Sequence, residues 1–548
     1  MKTQRIILLL CLFFVFLSFV PSFYEYFNKN KIPQERFFVL EHNYNFDYNF
    51  YLSRIRQGIE GKWFVREKYY NQPHKSSLFQ IIYVYLGKFG GLLGFGPIAI
   101  YQISRFIFGF LLLFTTVVYG RKFFSGKKLI LFFFLAVTAG SWPVLVWAGR
   151  LPRFGTYMGW WSVIDSLQRI TIMPHILIGQ IFLVSIITNL SNLEIISWRK
   201  MILWGFWGLL AGIIFPPAVI IVYAYLMILA AFEFLDVFSL RITLDAKRKK
   251  FGNFIREKAG KITVFIFISV PSLIYLQISF REQPWKALSL FDIEHRFIMP
   301  YKDYVLALGP VLILGVLGLF WAFSRNNRKF YSPIAWIFAI SVLFMIFENV
   351  PEQSPLRFTE GMVHVPLAAL ATYFILKIRR FRFVSGIIAG GTVVTGLLVI
   401  VSMILWLTDQ AFAKRFGTWP VPLGAQQAYP LRDFMDGIFY LQGNTNKEDV
   451  VLGYITAGNY IPAYAGNYVY IGHANTPDED EKEFIAASFY KGEMKQEEAK
   501  NWLNQERISY IFFGPQEKEL GGVADLAEKY SFLTPVYSNK QVVIYKII

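Results

Sequence analysis

Long apolar runs govern what this chain can become. Stretch after stretch passes with almost no charge, each about 17–25 residues, the length that crosses a bilayer. Inside a bilayer the backbone must satisfy its own hydrogen bonds, so such runs fold as helices. Composition agrees: of 548 residues, 55% are hydrophobic and 17% charged, where a soluble protein carries about 25% charged. The mean hydropathy is +0.41. A disordered chain, a coiled coil and an ordinary cytosolic enzyme are excluded, and a polytopic α-helical membrane protein is expected. The lone cysteine, Cys11, sits in the first run, so neither a disulfide framework nor a Cys-based metal site is available.

The first run, from Ile6 to about Val20, follows a short basic start and lacks a small-x-small cleavage site; it reads as an uncleaved span. Residues 78–94 are apolar but glycine-broken and read as an interfacial helix. Ten further spans are expected at 97–119, 128–148, 172–190, 201–216, 217–236, 262–280, 302–323, 333–348, 361–378 and 383–408, eleven in all. The net charge of +18 then orients the chain, because Lys and Arg gather in cytoplasmic loops. Clusters at Arg121–Lys128, Arg199–Lys200, Arg241–Lys261, Arg325–Lys329 and Lys377–Arg382 all fall inside if the N-terminus is inside. The cytoplasmic (inner) membrane is the expected location. The same bias explains the basic pI without nucleic acid.

Outside remain the loops 23–96, 149–171, 281–301 and 349–360, and the tail after Asp409. Residues 1–408 form the membrane domain and 409–430 a linker marked by Pro420, Pro422 and Gly424. Residues 431–548 read as an extracytoplasmic α/β domain, with strands at 450–454, 468–471, 508–513 and 542–547 and helices at 478–490, 495–506 and 522–530.

No phosphate-binding glycine loop, HExxH or GxSxG motif is present. Ionisable residues inside the spans are few (Arg105, Glu233 and Asp236, each near an end), so a polar path of the transporter kind is not visible. Polar residues gather on the outer side, among them His42, His74, His175, His295 and His473. The densest stretch is 41–77. Residues 47–57 read as a helix ended by Gly58 and Gly61, with Tyr48, Leu52, Ile55 and Ile59 on its apolar face. Asp47, Tyr51 and Arg54 share another face. Asp47 also suits the helix dipole as a first-turn acid. The second outer loop offers Arg150, Arg153, Asp165, Arg169 and His175 among aromatics, with Asp165 and Arg169 spaced as a helical pair. The third offers Arg357, with Glu352 or Glu360 as ion-pair partners.

At this point the chain resembles the C-type (GT-C) membrane glycosyltransferases, relatives of protein O-mannosyltransferases and lipid A aminoarabinose transferases. The resemblance lies in the first span and outer-loop acid, in the helix from Asp47 to Trp63, and in the stretch from Ser104-Arg105-Phe106 to Phe124. The tail segments AGNYIPAYAGNYVYIGHANTP, SYIFFGP and VVIYKI are similar to bacterial members. It implies a sugar donor on a polyprenyl phosphate, a lipid, glycan or protein acceptor, contact with membrane lipids and no nucleic acid. It further implies Asp47 as general base, with Asp165 as the rival, in an inverting single displacement. Arg54, Arg56, Lys75, Arg169, His175 and Arg357 are the implied donor-phosphate ligands. Only Lys75 carries over from the Lys-Pro-Pro-Leu run of related enzymes. The resemblance requires no cofactor; a divalent metal is an open alternative, because Asp47 stands alone unless Glu41 or Asp165 pairs with it, and no metal ligands are assigned. The alternatives are a flippase or transporter of a lipid-linked glycan, in which 41–77 gates, and a scaffold without activity.

Overall fold

The computed structural model describes residues 2–148, 151–239, 254–419, 427–521 and 523–548. Arg150, Arg241, Lys247–Lys250, Pro420, Pro422 and Gly424 therefore lie outside the described residues. The chain forms two compact units. One comprises Met1–Val20, Ser104–Gln277 and His295–Trp406, the other Pro21–Ile103, Ile278–Glu294 and Leu407–Ile548. The first outer loop and the tail thus belong to one body, a different division from the one expected at 408 and 431. The cause is a set of hydrogen bonds between them, such as Asn49 with Asn459 and Tyr69 with Asn459.

This is a multi-pass membrane protein. Five helices are long and apolar enough to span a bilayer: Pro97–Arg121, Pro216–Leu235, Arg256–Ser279, Arg328–Phe347 and Arg382–Lys414. Three bent pairs bring the number to eight if each is one span: Thr3–Ser18 with Val20–Phe27, Tyr301–Ala307 with Gly309–Ser324, and Pro355–Gly361 with His364–Arg380. The sharpest bend, 89°, turns at Gly309, which has a φ of +59°. A Cβ there would lie 2.0 Å from the carbonyl oxygen of Gly140, so both the turn and the approach require glycine.

The other three expected spans are shorter. Pro174–Leu190 and Trp198–Ile214 have 17 residues each, about 26 Å of rise against a core of about 30 Å. The third needs correction. The helix of 128–148 is only Lys127–Val137. After Gly140 and Pro143, poor helix formers, the chain turns into β1 (Val144–Ala148). β1 pairs antiparallel with β2 (Leu151–Gly155), Val144 opposite Gly155. The β-branched run there is strand-forming, and apolarity alone did not separate it from a span.

In the second unit, five strands form one sheet in the order β4-β3-β5-β7-β6. β3 (Val450–Leu452) pairs parallel with β4 (Tyr468–Val469) and with β5 (Ile508–Phe513). β7 (Val543–Ile547) runs antiparallel to β5 and to β6 (Leu533–Ser538). The core contains Leu452, Ile471, Phe489, Tyr490, Ile511, Phe513 and Tyr545. The helices Arg432–Asn444 and Ile455–Tyr464 and strand β6 were not read from the sequence.

Candidate functional site

The helix bearing Asp47 runs from Asn45 to Ile59, with Asp47 in its first turn. Gly58 does not end it. A Cβ on Gly58 would lie 2.0 Å from the carbonyl oxygen of Val84, and one on Gly87 2.0 Å from that of Ile55. The two glycines let this helix and Ile82–Leu92 touch backbone to backbone. Gly61, with a φ of +91°, supplies the left-handed turn after the helix. Tyr48, Leu52 and Ile55 are buried as the pattern required, whereas Ile59 is exposed.

The Asp47 carboxylate is 46% exposed and lies 3.5 Å from Nε2 of His473, whose side chain is 5% exposed. The His473 ring stacks on Phe50 at 4.4 Å and tilts against Tyr69 at 5.3 Å. The backbone N–H of Asn475 donates to His473 Nδ1 at 3.1 Å. Two residues on, Asn49 Nδ2 donates to Asn459 Oδ1 at 2.8 Å. The Tyr69 hydroxyl donates to the Asn459 carbonyl at 3.0 Å. The Asp47 helix and the C-terminal α/β domain are therefore fastened together at the acid.

Arg54 corrects the expectation of a shared polar face. It is 1% exposed, 3.2 Å from Glu67, hydrogen-bonded to Gln80 and stacked 3.7 Å from the Phe50 centroid. A guanidinium so enclosed and paired is part of the core and does not face a ligand beside Asp47. Sequence reading missed Glu67 because its spacing from Arg54 follows no helical or strand period.

Arg56 lies on the opposite side of the helix from Asp47. Its Nε donates to the Ala463 carbonyl at 2.7 Å, and Glu60 is 3.8 Å away. It lines an apolar cavity of about 520 Å³ with Phe38, Leu52, Pro97, Gln102 and Tyr464. That size is within the range of ligand pockets. The Tyr464 hydroxyl is buried without a hydrogen-bond partner among the described residues. Lys75 is exposed and pairs with Glu282 at 3.0 Å. Glu41, the alternative companion acid, is held by Lys414 at 2.5 Å and by the Tyr460 hydroxyl at 2.8 Å.

Asp165, Arg169, His175 and Arg357 belong to the other unit. Asp165 and Arg169 do not form the expected helical side-chain pair. Asp165 Oδ1 accepts the backbone N–H groups of Leu167 and Gln168 at 3.0 and 2.7 Å, opening the short 3₁₀ turn Gln168–Thr171. Its Oδ2 is buried with no hydrogen-bond partner among the described residues, and burial pushes the carboxyl above its ordinary range. Arg169 donates to the carbonyls of Ala136, Val137 and Ala139, closing the end of the truncated helix. His175 sits at the start of Pro174–Leu190, half-buried. Arg357 is 42% exposed, 3.9 Å from Glu360 and over Trp161.

Among the described residues, no three His, Cys, Asp or Glu side chains form a ready metal cage. Among the described residues, an ion at Asp47 would find His473 but no third ligand of these types.

No family model matches the sequence, and no curated protein does. Solved structures match in fold. ArnT from Cupriavidus metallidurans bound to undecaprenyl phosphate has a TM-score of 0.54 at 11% identity, covering 97% of each chain. The arabinofuranosyltransferase AftD from Mycobacteria has a TM-score of 0.52 at 12% identity, covering 99% of this chain and 41% of that one. The Archaeoglobus fulgidus oligosaccharyltransferase in complex with Zn and sulfate has a TM-score of 0.50 at 13% identity, covering 97% and 73%.

Proposed function

We propose that this chain, which has the fold of the C-type membrane glycosyltransferases, transfers a sugar from a polyprenyl-phosphate carrier to an acceptor on the extracytoplasmic face. The observation that carries this reading is the half-exposed Asp47 carboxylate at the start of its helix, on a fold whose relatives are transferases. In the step proposed, Asp47 takes the acceptor hydroxyl proton, the acceptor oxygen bonds to the anomeric carbon, and the carbon–phosphate oxygen bond breaks. Polyprenyl phosphate leaves with the electron pair. One base and no nucleophilic carboxylate call for a single, inverting displacement. Asp165 is the less accessible candidate, because its carboxylate is buried and one of its oxygens is already taken by its own turn.

The leaving phosphate wants cations. Arg357, His175 and Lys75 are each proposed as a phosphate ligand; Arg56 lies on the side of the helix away from Asp47, and Arg54 and Arg169 are committed to internal partners. The cavity beside Arg56 is proposed for apolar carrier, since the ArnT structure holds undecaprenyl phosphate. An inside N-terminus and an outside C-terminal domain complete the proposal, resting on the basic clusters.

The test is Asp47→Asn, which keeps shape and removes basicity. With the lipid-phosphate sugar that copurifies, identified by mass spectrometry, the variant is expected to bind donor normally. Transfer should slow by on the order of 10²–10⁴. Near wild-type turnover in Asp47→Asn with a dead Asp165→Asn moves the base to the second loop. A wild-type protein that binds donor and never transfers it indicates the flippase or the scaffold.

A further inference from the structure

We infer that His473, carried by the C-terminal domain, is a positioning residue for the Asp47 carboxylate, so that this domain completes the active site. The inference rests on the reading of Asp47 as base. His473 follows β4 at the carboxyl end of the parallel strands, where α/β domains present functional loops. Because the Asn475 N–H donates to Nδ1, the neutral ring carries its proton on Nε2, the nitrogen 3.5 Å from Asp47 Oδ1.

The His473 ring is held by its neighbours. Phe50 and Tyr69 fix the ring plane, and the Thr476 N–H donates to the His473 carbonyl at 2.8 Å. The backbone at the start of the Asp47 helix is held too: Asn459 Nδ2 donates to the Phe46 carbonyl at 3.3 Å, one residue before Asp47. A buried ring that only filled space would not need a polar edge turned to a half-exposed carboxylate. At 3.5 Å the N–H faces Oδ1 without yet bonding it; drawn onto Oδ1 in the substrate complex, it fixes the carboxylate rotation and leaves Oδ2 for the acceptor proton. Distances of this kind shorten when substrate binds.

The experiment compares four variants of the full chain, reading release of polyprenyl phosphate from the copurifying carrier sugar. His473→Phe keeps the stacked ring and removes the N–H. It should keep donor KM and thermal stability while kcat falls on the order of 10- to 100-fold, the cost of a misplaced group. His473→Gln puts an amide N–H near the position of Nε2 and should restore most of the rate. Adding His473→Phe to Asp47→Asn should slow the residual reaction no further, because the ring acts only through the acid.

Wild-type kcat in His473→Phe, equal rates for Phe and Gln, or an additive double variant overturns the inference. If His473→Phe proves unstable, His473→Asn replaces it: its shorter amide misses Asp47, so Gln fast and Asn slow supports the role, and equal rates refute it. A fully active Asp47→Asn overturns the base assignment as well. A dead Asp47→Asn with an unaffected His473→Phe overturns only the positioning role.

Discussion

Arginines of one sequence class divide into two physical kinds here. Arg54 is enclosed with Glu67 and Phe50, whereas Arg357 is 42% exposed beside Trp161. Removing one partner of a buried pair leaves an uncompensated charge, at a cost of about 3–5 kcal/mol. Arg54→Ala is therefore expected to lower the thermal midpoint strongly, whatever it does to donor binding. Arg357→Lys should leave the midpoint unchanged and weaken donor affinity, since a point charge does not reproduce the guanidinium fork on phosphate. Thermal scans beside donor titrations check both; an Arg357→Lys with wild-type affinity would reduce Arg357 to a partner of Glu360. The helix period was enough to place Asp47, Tyr48, Leu52 and Ile55. It did not reveal that Arg54 turns inward, because that depends on Glu67 and Gln80, which reach it from an irregular loop.

At the scale of elements, close backbone contact and buried charge make the sharpest demands. The helices Asn45–Ile59 and Ile82–Leu92 meet where a Cβ on Gly87 would lie 2.0 Å from the Ile55 carbonyl oxygen. Backbone cannot swing aside as a side-chain end can. Gly87→Ala should cost about 1–3 kcal/mol, read as a lower thermal midpoint, and should reduce activity by shifting the Asp47 helix. An unperturbed Gly87→Ala would mean the helices separate freely. In the sheet domain, Glu517 accepts the backbone N–H groups of Tyr454 and Gly514, and burial pushes its carboxyl from 4.5 up to about 7. A raised acid binds its proton more tightly folded than unfolded. Folding stability from this group is therefore full below pH 4.5 and is lost as pH rises to about 7, by on the order of 3 kcal/mol. Amide exchange of 450–458 in the full chain, corrected for intrinsic rates, should show more protection at pH 5 than at pH 7.5; the reverse would contradict the burial argument. The strand at 508–513 was legible as a β-branched and aromatic run. The helix Ile455–Tyr464 was not, because Gly458 and Pro462 within it read as breakers.

For the whole molecule, apolar runs and basic clusters carried most of what the sequence could say. They located nearly every long helix, and they failed at 144–148, where a strand is as apolar as a span. They could not show that residues 21–103 and 407–548 form one body, because that union rests on single hydrogen bonds between residues some 400 positions apart, such as Asn49 with Asn459. The union bears on topology. The Asp47 helix and the C-terminal domain share a unit, so both must lie on one side of the membrane. The charge rule independently puts the loop of Arg121, Lys122, Lys127 and Lys128 on the other side. A reporter fused after Gly126 should therefore read cytoplasmic, while one inserted in 32–44 and one fused after Ile548 should both read extracytoplasmic. Agreement of the last two tests the shared unit, and their opposition to the first tests the orientation. If the loop and C-terminal reporters disagree, Asp47 and His473 cannot meet, and the site described here does not form in the membrane.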